Sequence, residues 1–165
     1  VLLETVARLG DPYRRLRIGA GRDLAPEPGV ISLAFERDPH RLARLLASCD
    51  VFVHANAREP FGLVALEALA CGLPVVCPPT GGVAEMIDEA VGQRALAPGA
   101  AAMAEAVEAL FARDPASLSG AARRRAVERH SWERTFAALI GHYATLLGRP
   151  IEAADRLPLL NHCHA

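Results

Sequence analysis

Two glutamates, Glu59 and Glu67, are the residues of this 165-residue sequence whose type and spacing most suggest chemistry. Glu67 shares a helical stripe with Leu63 and Val64, and from 61 to 76 it is the one ionisable side chain besides a cysteine. An unpaired charge on a buried apolar helix costs several kcal/mol, so such a carboxylate needs hydrogen-bond donors. The pattern therefore predicts either an arginine partner within the protein or the hydroxyl groups of a bound ligand.

The turn between the two glutamates has the features of an anion site. Glu59 lies in the loop after an apolar strand, and Gly62 allows the backbone to come close to a ligand. The helix that follows offers free N–H groups and a partial positive charge, which suit a phosphate. Glu67 lies roughly 8 Å further along the helix axis. The two carboxylates could hold the sugar and the ribose of a nucleoside diphosphate sugar, although a solvated loop acid is the commoner fate of a residue such as Glu59.

Short apolar strands alternate with helical segments along the chain. Strands are predicted at 16–20, 30–35, 51–54, 73–77 and 93–96, and helices at 1–9, 39–49, 61–70, 82–86, 100–113, 118–130 and 132–147. This alternation predicts an α/β fold, a Rossmann-like parallel sheet with helices on both faces, within residues 1–148. Ligands of such sheets bind beyond the carboxyl ends of the strands, here the loops 19–23, 35–38, 55–61 and 78–82. Residues 149–165 show no periodicity and are expected to form a disordered tail.

The composition excludes several classes of function. A net charge of −1 and a pI near 6.6 argue against a dedicated nucleic-acid binder. All 18 basic residues are arginines, which rules out a P-loop or Schiff-base lysine in this chain. No cofactor or metal is expected, because no Asp-x-Asp pair occurs and His162-Cys163-His164 would make a poor tetrahedral site. No apolar run is long enough to cross a membrane, and the cysteines are interpreted as reduced thiols of a cytoplasmic protein.

One segment carries a family resemblance. The string EPFGLVALEALACGLPVV contains both glutamates and is followed by TGGVAEMID, preceded by CDVFVHA and completed by HSWERTFAALIGHYATLL. Together these strings resemble the donor-binding signature of retaining glycosyltransferases of the group 1 family, also called family 4, which have the GT-B fold. The resemblance extends over about 1–147. It implies the C-terminal, donor-binding half of a GT-B enzyme that moves a sugar from a nucleotide-diphosphate sugar to an acceptor hydroxyl.

The resemblance also implies roles for residues of the motif. Glu67 would accept hydrogen bonds from the ribose hydroxyls of the donor. Glu59 would contact hydroxyls of the transferred sugar and would be the catalytic residue. The backbone amides of Phe61, Gly62 and Leu63 would face the sugar and the diphosphate.

Further donor-binding residues are implied in three other turns, for which an ordinary strand-to-helix turn is the alternative interpretation. They are Phe35 near the nucleobase, Thr80, Gly81 and Gly82 along the donor pocket, and Gly19 and Gly21 in a glycine-rich turn.

The sequence departs from the family pattern in ways that bear on activity. The first strand of the domain, with the arginine and lysine that clamp the diphosphate, is expected before Val1, which would leave a gap in the sheet. The stretch from 20 to 29 is too short for the usual helix. The acceptor-binding N-terminal domain is also expected outside the chain. The chain alone is therefore expected to be inactive.

The acceptor is expected to be a sugar or a lipid-linked molecule, bound through the N-terminal domain. The cluster Arg123-Arg124-Arg125, with Arg129, is interpreted either as a solvated helix face or as a contact with the inner face of the membrane. Two alternatives remain open for the function. The chain could be a non-catalytic Rossmann-like nucleotide-binding or regulatory domain, or part of another GT-B enzyme such as a sugar epimerase or phosphorylase.

Overall fold

A computed structural model describes residues 1–19 and 27–148 of the chain. Helices and strands follow one another in the predicted order. They are α1 (Leu2–Leu9), β1 (Arg15–Ile18), β2 (Val30–Leu33), α2 (Pro39–Ala47), β3 (Phe52–Val53), α3 (Leu63–Ala70), β4 (Val75–Cys77), α4 (Gly82–Met86), β5 (Gly92–Arg94), α5 (Ala100–Phe111), α6 (Pro115–His130) and α7 (Trp132–Leu147). Gly21, the end of the first predicted strand at Ala20 and the tail 149–165 lie outside the described residues.

The strands in the described residues pair as two parallel sheets. One contains β3, β4 and β5 in that order, with Phe52 opposite Val75 and Val75 opposite Gly92. The other contains β1 and β2, with Arg15 opposite Val30. The parallel pairing confirms the predicted α/β class. Within the described residues the two sheets share no hydrogen-bonded pair of strands, and the expected gap between them stays a prediction.

The three-stranded sheet is buried on both faces, with β4 at its centre. Val75 and Cys77 face one core, which they share with Leu69 of α3. Val76, between them, faces a second core that it shares with Met103 of α5. Successive side chains of a strand point to opposite faces, so a strand that is apolar throughout needs cover on both sides. The prediction of helices on both faces is confirmed for this sheet.

Local capping explains where α2 and α7 begin. The carboxylate of Asp38 accepts a hydrogen bond from the His40 amide at 2.9 Å, and Pro39 occupies the first helical position. The hydroxyl of Ser131 accepts a hydrogen bond from the Arg134 amide at 3.3 Å. Both caps were predicted from the sequence, because each depends on residues that are neighbours in the chain.

The start of α6 differs from the prediction. The helix begins at Pro115, whereas the predicted start was Leu118, the first large aliphatic residue of the helix. Asp114 precedes the proline, and its carboxylate accepts a hydrogen bond from the Ala116 amide at 3.3 Å. The Asp-Pro pair therefore starts this helix as a similar pair starts α2.

The described residues form two compact units, one ending at Ala126 and the other beginning at Val127. The second unit contains α7, in which Trp132 stacks on Phe136 with ring centroids 5.6 Å apart. Large apolar side chains are exposed along this helix, namely Trp132, Phe136, Leu139, Tyr143, Leu146 and Leu147. Neither α7 nor any other helix within 1–19 and 27–148 is long and apolar enough to span a membrane.

The arginine cluster of α6 is not a uniformly solvated face. Arg123 donates a hydrogen bond to the carbonyl oxygen of Ala70, at the end of α3, at 3.1 Å. Arg125 donates to the last carbonyl oxygen of α4 at 3.0 Å and pairs with Asp88 at 2.6 Å, and its side chain is only 13% exposed. The interpretation as a solvated face is therefore wrong for Arg125. The guanidinium groups of two of the three consecutive arginines hold neighbouring segments of the fold.

Candidate functional site

The loops that follow β3 and β4 meet backbone to backbone. The amide of Gly82 donates a hydrogen bond to the carbonyl oxygen of Glu59 at 2.9 Å. A Cβ atom at Gly81 would lie 2.7 Å from the carbonyl oxygen of Ala57, and one at Gly82 would overlap the carbonyl oxygen of Pro60. A side chain at either glycine would push the loops apart. The two loops therefore form one continuous surface at the carboxyl end of the sheet.

Gly62 turns the first of these loops into α3. Its φ of 87° lies in the left-handed region, which glycine adopts with little strain. A Cβ atom at this position would overlap Cγ2 of Val83, and the residue is buried. The side of Gly62 that a Cβ would occupy therefore packs against α4, and the role of its backbone amide toward a ligand stays a prediction. This glycine is needed for internal packing.

The N-terminus of α3 has no side-chain cap. The first amide groups of an α-helix have no partner within the helix, so those of Leu63 and Val64 are directed toward the turn that contains Phe61. The side chains of Phe61 and Leu63 are exposed. These amides and the helix dipole together offer a place for a negatively charged group.

Glu67 is exposed, and this corrects the prediction of a carboxylate buried in a helix that is apolar all round. α3 buries Ala65 and Leu69 and leaves Leu63 and Val64 exposed by 61% and 53% on the side that also carries Glu67. The carboxylate makes no hydrogen bond or ion pair with any residue in 1–19 or 27–148, so no internal arginine neutralises it there. Its charge therefore faces solvent beside two exposed apolar side chains.

Glu59 lies beside the start of α3, in a loop arranged by Asn56. The side-chain oxygen of Asn56 accepts a hydrogen bond from the Arg58 amide at 3.0 Å, and its carbonyl oxygen lies 3.0 Å from Nε2 of His54. The Cγ atom of the partly buried Glu59 side chain would lie 3.5 Å from a Cβ at Gly62. Asn56 was not predicted as a site residue, although asparagine is typical of turns, where its side chain accepts a hydrogen bond from the backbone two residues on.

The structure thus brings three predicted elements together: Glu59, the turn at 61–63 and the glycines of 80–82. Thr80 is exposed next to the glycine pair. None of these contacts requires a ligand, and the donor-binding role of each residue stays a prediction.

Gly19 and Phe35 meet at the carboxyl ends of β1 and β2. A Cβ atom at Gly19 would lie 3.9 Å from Cδ2 of Phe35, and the Gly19 amide donates to the carbonyl oxygen of Leu33 at 3.1 Å. The ring of Phe35 is 75% exposed. An aromatic residue so exposed after a strand is available for stacking.

A pocket of about 370 Å³ opens beside this ring, formed by residues 33–37 with Arg41 and Leu45 of α2. Glu36 lies in its wall and is held by two donors. Its Oε1 accepts from the amide of Asp38 at 3.0 Å, and its Oε2 pairs with Nε of Arg41 at 3.1 Å. Glu36 was not predicted from the sequence, because an ion pair between a loop residue and a helix residue has no periodic signal.

The cysteines near these elements are not activated. Burial raises the pKa of the Cys77 thiol on β4 to about 11. Burial also raises the pKa of Cys71, an effect that Arg123 opposes and the charge of Glu67 increases. A thiol with a raised pKa is a poor nucleophile at neutral pH. Within residues 1–19 and 27–148, no group of three His, Cys, Asp or Glu side chains is arranged to hold a metal ion.

A family model described as "Glycosyl transferases group 1" matches residues 27–128. The matched range contains both glutamates, the two loops in backbone contact and the pocket beside Phe35.

Two curated relatives show how much of a longer protein the chain represents. A GDP-mannose-dependent alpha-(1-6)-phosphatidylinositol dimannoside mannosyltransferase of Mycobacterium tuberculosis (strain ATCC 25177 / H37Ra) is 40% identical over 106 residues, which are 64% of this chain and 27% of that protein. A D-inositol 3-phosphate glycosyltransferase of Stackebrandtia nassauensis is 34% identical over 142 residues, 82% of this chain and 32% of that protein. The match therefore spans between a quarter and a third of the length of these curated relatives.

Solved structures share the fold. Sucrose-phosphate synthase from Thermosynechococcus elongatus superposes with a TM-score of 0.73 at 26% identity, covering 88% of this chain and 42% of that one. HepE of Anabaena, in complex with UDP and glucose, gives a TM-score of 0.56 at 28% identity, covering 74% of this chain and 32% of that one. These similarities confirm the predicted GT-B type of α/β fold.

Proposed function

The chain belongs to the group 1 family of glycosyl transferases, and from this premise we propose that it is the donor-binding domain of a retaining glycosyltransferase. In the proposed reaction, a sugar moves from a nucleotide-diphosphate sugar to an acceptor hydroxyl. The domain supplies the binding site for the donor. The activity of the whole protein is part of the proposal, because the match spans only between a quarter and a third of these curated relatives.

The observation that carries the proposal is the exposed carboxylate of Glu67. It lies on α3 beside the exposed side chains of Leu63 and Val64 and makes no ion pair with the described residues. Apolar side chains can pack against the face of a ribose ring, while a carboxylate accepts hydrogen bonds from its hydroxyls. An unpaired carboxylate next to exposed apolar groups can therefore hold a ribose by both kinds of contact.

The remaining parts of the donor follow along the same helix. The diphosphate would lie at the uncapped start of α3, where backbone amides and the helix dipole favour negative charge. Glu59 would face the transferred sugar from the loop before the helix. As the sugar leaves, charge would develop on the diphosphate, and donors already in place stabilise such charge without reorganising.

Replacement of Glu67 by glutamine is expected to weaken nucleotide binding by about tenfold or more, because hydrogen bonds to a charged group are lost. The measurement is an NMR titration of the whole protein that carries this chain with UDP, GDP and ADP. The 2′,3′-dideoxy form of the best nucleotide provides a ligand-side check. It should bind the unchanged protein more weakly than the ribose form, and the difference between the two forms should be smaller in Glu67→Gln.

Glu108→Gln is the matched control, since Glu108 is an exposed glutamate on α5, which covers the other face of the three-stranded sheet. It should leave every affinity unchanged. Equal binding of the ribose and dideoxy nucleotides by the unchanged protein would contradict the role of Glu67. If no nucleotide bound at all, the donor-binding function would be wrong and a non-catalytic domain would be favoured.

Retention of configuration is tested on the whole protein that carries this chain. Proton NMR of the first product formed from a donor of known anomeric configuration should show the same configuration in the product. An inverted product would contradict the retaining mechanism and leave donor binding intact. Conversion of the sugar without an acceptor would favour an epimerase instead.

The proposal extends to the surroundings of the enzyme. The acceptor would be a sugar or a lipid-linked molecule held by another domain, and the exposed Arg124 could contact the inner face of a membrane. A cytoplasmic location is supported by the free thiols of Cys49, Cys71 and Cys77. The chain alone would not transfer a sugar, because it spans only part of the length of its curated relatives.

A further inference from the structure

We propose that the pocket between β2 and α2 binds guanine and that Glu36 is the residue that selects it. The inference rests on the proposed function, since it names the nucleotide of the donor. The pocket adjoins the exposed ring of Phe35 at the carboxyl end of β2. Its volume of about 370 Å³ is within the usual range of ligand pockets and leaves room for a bicyclic base.

Glu36 is a carboxylate whose orientation is set before any ligand arrives. The amide of Asp38 donates to Oε1 at 3.0 Å, and Nε of Arg41 pairs with Oε2 at 3.1 Å. The side chain is only 17% exposed, and it lines the pocket. A carboxylate has about four lone-pair positions, so each oxygen still has the capacity to accept another hydrogen bond.

A carboxylate in a fixed position distinguishes among the bases. It offers two acceptors side by side and no donor. Guanine presents two adjacent donors, N1–H and the 2-amino group, which match this pair of acceptors. Uracil presents a single N3–H between two carbonyl oxygens, and those oxygens would be repelled by the carboxylate. In adenine and cytosine the exocyclic amino group lies next to an unprotonated ring nitrogen. The lone pair of that nitrogen would be repelled by the carboxylate, so neither base matches it.

Two neighbouring side chains complete the pocket without selecting the base themselves. The face of Phe35 can stack on any base. Arg37 lines the same pocket and makes no ion pair with the residues of 1–19 and 27–148. Its guanidinium can donate to O6 of guanine, next to the edge that Glu36 would bind. Selection therefore depends on Glu36, and removing its charge should affect guanine more than other bases.

The test is a calorimetric titration of the whole protein that carries this chain with GDP, IDP, UDP and ADP. GDP should bind about tenfold or more tightly than UDP and than IDP, which lacks only the 2-amino group of guanine. The comparison of GDP with IDP needs no variant and therefore does not depend on whether a variant folds. In Glu36→Gln the affinity for GDP should fall about tenfold, and its advantage over IDP should disappear.

Glu4→Gln is the matched control, because Glu4 is an exposed glutamate on α1 that also pairs with an arginine, Arg8. The substitution changes the net charge by the same amount as Glu36→Gln. It should leave the preference for GDP unchanged. Equal binding of GDP and IDP by the unchanged protein, tighter binding of UDP or ADP, or an unaltered preference in Glu36→Gln would each overturn the inference and leave donor binding standing. Failure of all four nucleotides to bind would instead overturn the proposed function, and this inference with it.

Discussion

Gly82→Ala is expected to lower the free energy of unfolding by about 3 kcal/mol or more, at the upper end of single-residue effects. The added Cβ would overlap the carbonyl oxygen of Pro60, which belongs to the backbone and cannot rotate away. The loop would have to move, and the hydrogen bond from the Gly82 amide to Glu59 would be lost with it. Urea denaturation followed by circular dichroism measures the change.

The same variant should lose nucleotide binding at temperatures where it remains folded, because the two loops form one surface only while they touch. Gly141→Ala is the control: a Cβ there meets no atom within 4 Å, in the interior of α7. It should raise stability by up to about 1 kcal/mol, the usual gain from alanine in a helix. A Gly82→Ala protein as stable as the unchanged chain would contradict the backbone contact between the loops.

Leu69→Ala is expected to lower the free energy of unfolding by about 2–5 kcal/mol, the cost of a cavity left by a buried leucine. Leu69 is fully buried on the inner side of α3, in the core that also contains Val75 of β4. The loss would be a large part of the stability of an ordinary domain, which is about 5–15 kcal/mol. The change in the urea midpoint at constant slope measures it.

Leu63→Ala removes the same side chain from the outer side of the same helix, where Leu63 is 61% exposed. Its effect on stability should stay within about 0.5 kcal/mol, as for most surface substitutions. Similar losses at the two positions would mean that the outer side of α3 is covered, and Glu67 could then not face a ligand.

Features that depend on neighbours in the chain were predicted well from the sequence. The cap of α2 by Asp38 and that of α7 by Ser131 each join residues within three positions. A short apolar strand was predicted at 73–77, and the structure has β4 there, buried on both faces because Val75, Val76 and Cys77 leave neither face polar. The start of α6 was predicted too late in the chain, because the prediction was based on the apolar pattern of the helix and not on the Asp-Pro pair before it.

The orientation of α3 was predicted wrongly, and its composition explains why. Its residues are apolar on all sides apart from Glu67, so no amphipathic pattern marks the inner face. Packing against β4 decides that Leu69 is buried and that Glu67 is exposed. The hypothesis that Glu67 binds a ligand remains, but its support has changed. It was first based on a buried carboxylate, and it now depends on an exposed carboxylate without an ion-pair partner in the described residues.

By itself, then, the sequence determined the order of the elements, the parallel α/β class and the family, because periodic patterns, caps and motifs are written along the chain. Only the tertiary structure decided that Gly82 lies against Pro60, that Gly62 makes room for Val83, and that Glu36 is fixed in a pocket. The first two contacts join residues more than a full element apart, and all three depend on how strands, loops and helices pack. Such packing is set by the combined burial of many side chains, which no single stretch of sequence contains.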